Sequence, residues 1–290
     1  MKSICIKTNN SNLIQYLLNE LRHIDLNNIC FSLQEFKHYK NIIIHYNGSD
    51  IYDFLRQISS ILSLMVIDEL EEHFINTILS QNYFYFDNTE RKEILNFCFD
   101  IMTDNFSVIF DKKFKILYNS FYNYLANNRS LYINGFIHFR LKKYFLSLDK
   151  IVDEAVNNFI IQKEYLEFIS LLKLYINSRN PACNIIHLIY SNTENLLLNE
   201  HKEIINISDN NLTAKYLSDI SFSTNDYILN SLLTLLPKKI YIHFINSYPD
   251  EFINTLTSIF ENRVAFCTDC NICNLYKNEI HTKTSATKNK

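Results

Sequence analysis

Three cysteines, Cys267, Cys270 and Cys273, stand three residues apart toward the C-terminal end of the chain. Thiolates at this spacing can turn toward one centre. Two at i and i+3 form half of a zinc knuckle, and a third at i+6 extends the run to that of ferredoxin-type loops. The candidate cofactors are therefore a zinc ion or an iron–sulfur cluster. Either needs a fourth donor. Cys5, Cys30, Cys98 and Cys183 are remote in sequence, and none is followed by proline as in bacterial ferredoxins. His243, His281 or a second subunit could complete a zinc site. Thiol redox between Cys267 and Cys270 is the other chemistry open to the segment. A thioredoxin-like motif, however, lies between a strand and a helix start, and the pattern shows no clear helix start after Cys270.

Two other groupings hold residue types able to bind a ligand. His138, Arg140, Lys142 and Lys143 form a basic run next to Gly135, in a segment with a helical pattern. They would make an anion or partner patch, or simply the solvated side of a packed helix. A glycine kept inside a helix costs about 1 kcal/mol relative to alanine, which suggests a close approach by another backbone. Glu69 and His73, at i and i+4, could share a metal, but no matching Glu/His set exists to build a di-metal bundle. A solvated acidic face is the plainer reading. No catalytic residue can be assigned. The phosphate-loop, dinucleotide, nucleophile-elbow and zincin motifs are all missing. With two glycines in 290 residues, a glycine-rich phosphate cradle is excluded in practice.

The elements that would position these residues follow from periodicity. Strands are expected at 2–7, 29–33 and 41–46, with a helix over 11–22 between the first two. Ser49 or Asp50 caps a long helix to about residue 80, and Asp87 with Glu90 forms a capping box for the next, to 101. Further helices fit 112–127, 130–146, 148–161 and 163–178. Strands return at 185–190 and 196–198, then a helix over 225–236 and a strand at 240–244. A helix to Phe260 and a strand at 264–266 complete a β-α-β crossover, which would be right-handed. The cysteines lie just past its last strand. The fold class is thus mixed α/β (α+β). Residues 1–48 form a small α/β unit, 49–180 a helical region and 181–276 an α/β unit ending in the cysteines. Residues 277–290 form a disordered tail.

Composition bounds the rest. Hydrophobic residues make up 47% and charged residues 20%, and the net charge is -3. A sizeable core is available, with no basic excess to draw the chain to nucleic acid. Average usage would give about 20 glycines. Asparagine is abundant instead and can take the left-handed positions of turns and helix ends. No apolar run is long enough to span a bilayer, no signal peptide is evident, and the scattered cysteines suit a reducing cytoplasm.

Three stretches together resemble a sporulation protein family, YtxC, of endospore-forming bacteria: Tyr132–Tyr144, Ile151–Leu172 and Phe260–Cys273. The similarity extends over roughly residues 40 to 275. The resemblance implies a role in sporulation with no enzymatic activity to carry over. It also implies that Gly135, Arg140 and the three cysteines belong to the family's pattern. The expectation is a cytoplasmic, non-enzymatic accessory or binding protein with an unknown protein partner. The alternatives are a metal or cluster redox sensor and a nucleic-acid or phosphate module.

Overall fold

In the computed structural model, which describes residues 2–24, 26–37, 39–192, 195–205, 223–267 and 269–277, contacts divide the chain into two units. These are Met1–Gln162 and Lys163–Lys290. His281 and the expected tail beyond its first residue, Lys277, lie outside the described residues.

In the first unit, β1 (Lys2–Thr8) buries alternate residues, Ile4, Ile6 and Thr8, as a half-covered strand should. Asn10 caps α1 (Ser11–His23) through its side chain, and Leu13, Ile14, Leu17 and Leu21 turn inward. β2 (Ile29–Glu35) and β3 (Lys40–Tyr46) pair antiparallel, and β3 also pairs antiparallel with β1. Gly48 follows because Tyr46 folds back over it: a Cβ there would overlap the tyrosine ring, which stacks on Phe54. Asp50 caps α2 (Ile51–Asn82), and the Asp87/Glu90 capping box opens α3 (Asn88–Asp104). Then come α4 (Phe106–Asn127), β4 (Ser130–Tyr132), α5 (Ile133–Arg140) and α6 (Lys142–Asn177), whose residues from Lys163 onward belong to the second unit. The sheet order is β2-β3-β1-β4, with β4 parallel to β1.

Two stretches differ from the sequence reading. The helix expected over 130–146 is a short strand, α5, a break at Leu141 and the start of α6. Ser130–Tyr132 is captured by the open edge of β1, a long-range pairing that helical periodicity does not report. The two helices expected at 148–161 and 163–178 are one helix of 36 residues, with no proline or glycine to interrupt it.

The second unit holds the sheet β6-β5-β7-β8, from β5 (Cys183–Ser191), β6 (Leu196–Leu198), β7 (Pro237–Ile245) and β8 (Val264–Cys267). β5, β7 and β8 run parallel, and β6 is an antiparallel edge. α7 (Thr224–Leu235) and α8 (Glu251–Phe260) pack on one face. Ile186, Leu188, Ile240 and Ile242 bury there against Ile228, Leu232, Ile253 and Leu256. The expected β-α-β crossover is β7-α8-β8. Residues of the opposite parity, Ile189 and Ile245, join a small second cluster with Ile272 and Cys273. That other face carries the cysteines. Asparagine does take left-handed positions, at Asn28 (φ 65°) and Asn246 (φ 53°), while neither glycine has a positive φ.

Candidate metal centre

Strand register brings the first two donors together. β7 and β8 pair in parallel with His243 opposite Cys267, so both side chains leave the same face of the sheet. The chain then turns into a helix over residues 271–277, called α9 here. The Asn274 amide donates to the Cys270 carbonyl at 3.0 Å. This helix start follows Cys270 directly, where the sequence pattern shows none. Ile272 and Cys273, 5% and 1% exposed, anchor α9 on the sheet beside Ile189, Leu198 and Ile245.

The three sulfurs converge. Cys270 Sγ and Cys273 Sγ are 3.7 Å apart, and Cys273 Sγ and Cys267 Sγ are 3.8 Å apart. His243 Nδ1 lies 3.3 Å from Cys273 Sγ and 3.5 Å from Cys270 Sγ. All four donor atoms fall within 4.8 Å of one another. A tetrahedral zinc with Zn–S near 2.3 Å requires sulfur–sulfur edges of about 3.8 Å, so the donor set fits that ion. The Cys273 amide points at Cys270 Sγ at 3.5 Å, as in a metal knuckle. An iron–sulfur cluster would insert several atoms between its cysteines and needs them spread wider.

Without a cation, electrostatics hold Cys267 and Cys273 as protonated thiols. Burial pushes the Cys267 thiol up to about 12, helped by hydrogen bonds to Cys270 and Cys273. Burial also raises Cys273, with Cys270 adding to it. Burial opposes ionisation of Cys270 too, but the Cys273 amide and the neighbouring thiols bring it below the usual thiol value. Cys270 therefore ionises first, and its charge resists the next two. Three thiolates in this space need a positive ion. Burial lowers His243 to about 4, with His187 as a lesser cause, which keeps its imidazole neutral and able to donate a lone pair.

His187 was not singled out by the sequence reading. It stands on β5, and its Nδ1 lies 3.0 Å from His243 Nε2. The one sequence signal was an imidazole inside an otherwise apolar strand. An open cleft of about 470 Å³ adjoins the centre, lined by His187, Lys202, Tyr241, Cys267, Cys270 and Asn271 among others.

The profile of the YtxC-like family matches residues 56–265. The chain belongs to this family. The uncharacterized protein YtxC of Bacillus subtilis (strain 168) is 19% identical over 204 residues, covering 67% of this chain and 70% of its own length. No solved structure matches the chain. Within the YtxC-like match lie Gly135, Arg140, His187 and His243, and it ends just before Cys267. The three cysteines thus stand outside the matched stretch.

The other sequence candidates do not join the centre. His138, Arg140, Lys142 and Lys143 are all exposed, on α5 and the first turn of α6. The Arg140 guanidinium lies over the Tyr124 ring at 5.9 Å. The close neighbour expected at Gly135 is the Tyr132 ring, 3.0 Å from where a Cβ would sit, rather than another backbone. Glu69 and His73 are exposed on α2. Between them Glu71 turns inward, 7% exposed, and accepts from Lys113 Nζ at 2.6 Å and Tyr144 Oη at 2.5 Å. No helix among the described residues is long and apolar enough to cross a membrane.

Proposed function

We propose that this YtxC-like protein is a cytoplasmic, non-enzymatic accessory factor of sporulation whose C-terminal unit is organised around a Cys3His zinc site. Convergence of Cys267, Cys270, Cys273 and His243 carries this reading. Four protein donors at tetrahedral spacing leave no coordination position for a substrate, which is the pattern of structural rather than catalytic zinc. The ion would tie α9 to β7 and β8, where the apolar cluster alone is small. The sporulation role follows from the family resemblance, and the expected partner is another protein.

The test is anaerobic purification of the full chain followed by metal analysis and a visible spectrum. The expected result is one zinc per chain, no visible absorption, and three thiols protected from alkylation until a chelator is added. A metal-free protein whose three thiols react freely would overturn the metal reading. Iron with charge-transfer bands would replace zinc with iron.

A further inference from the structure

His243 has a close contact on each ring nitrogen. His243 turns Nδ1 toward two sulfurs and Nε2 toward His187 Nδ1. A nitrogen that ligates a metal must offer its lone pair, so the proton of a neutral His243 sits on Nε2. That N–H can donate to His187 Nδ1, which must then be the unprotonated nitrogen of its own ring. Each of the four nitrogens has one assignment.

We infer that His187 is the positioning residue of the centre, accepting the Nε2 proton of His243 and thereby holding that ring as an Nδ1 ligand. This rests on the Cys3His reading. The strand register explains why His187 can do it. β5 and β7 pair with His187 opposite Tyr241 and Ile189 opposite His243, so the two histidines are diagonal neighbours on one face. The His187 ring is itself braced by the Tyr241 ring, with centroids 5.5 Å apart and planes at 21°. His243 is only 2% exposed with His187 in place. A histidine that lost this partner would be free to turn and offer the wrong nitrogen. Outer-shell acceptors of this kind typically contribute about 10–100-fold to metal affinity.

Zinc affinity of the full chain, measured by competition with a chromophoric chelator, tests the assignment. His187→Leu removes the acceptor, and His187→Gln keeps a carbonyl oxygen that can accept. The expected result is about 10–100-fold weaker zinc binding for His187→Leu, largely recovered in His187→Gln. Cobalt(II) in place of zinc should show shifted ligand-field bands in the leucine variant alone. A nitrogen-15 spectrum of the wild-type zinc complex should show the His243 proton on Nε2, a readout that holds even where a variant fails to fold. Equal affinity in all three proteins, or a proton on Nδ1 of His243, would overturn the role of His187 while leaving the metal site standing. A wild-type chain that takes up no zinc at all would remove both.

Discussion

His243 on β7 and Cys267 on β8 are register partners in a parallel pair, and this single alignment creates the centre. A slip of one residue would send one side chain to the face covered by α7 and α8. The remaining two thiols stand just before and within the first turn of α9.

Replacing any donor should therefore abolish tight binding. Alanine at Cys267, Cys270, Cys273 or His243 should each lower zinc affinity by more than the about 10–100-fold set by an outer-shell residue. Metal analysis after dialysis against a weak chelator measures this. Retention of a full equivalent by the Cys273→Ala protein would show that the sulfurs do not share an ion.

Metal removal should loosen α9 before anything else. Its anchors are Ile272 and Cys273 on a five-residue cluster, whereas β5 and β7 are central strands. Hydrogen exchange after chelation should quicken at residues 271–277, with little change in β5 and β7. Unchanged protection of α9 in the metal-free protein would mean that apolar contacts suffice.

In the first unit, Glu71, Lys113 and Tyr144 form a buried polar cluster, with Lys113 also 3.3 Å from Met102 Sδ. Lys113→Met leaves a buried carboxylate without its cation and should cost about 3–5 kcal/mol in urea unfolding. The paired change Glu71→Leu with Lys113→Met removes both charges and should cost less than Lys113→Met alone. A double variant that is the worse of the two would contradict this account.

Asp250 links α8 to β5. Its carboxylate accepts from the Ile253 amide at 3.1 Å as the helix cap, and from the Tyr190 hydroxyl at 2.5 Å. Burial works against its ionised form, but these hydrogen bonds outweigh it and hold the carboxyl below the usual 3.8. A carboxyl lowered on folding adds stability that is full above its unfolded value and is lost as pH falls through the folded one. Asp250→Ala should cost about 1–2 kcal/mol at pH 7, with the gap to wild type closing below pH 4. A gap that persists unchanged at pH 3 would refute this assignment.

By itself the sequence determined what depends on neighbours along the chain. The Asp87/Glu90 box, the alternating β1, the apolar β5 and β7, and the β7-α8-β8 crossover all follow from local period and capping. The C-x2-C-x2-C spacing grouped the three thiols for the same reason. Tertiary structure decided what depends on register and on the burial of particular faces. It brought His243 Nδ1 up to the sulfurs of Cys270 and Cys273 and set His187 behind it. It also drew Ser130–Tyr132 to the edge of β1 and turned Glu71 inward from an acidic run. Hydrophobic period reveals which face of a strand is buried, but not which residue of another strand will stand opposite.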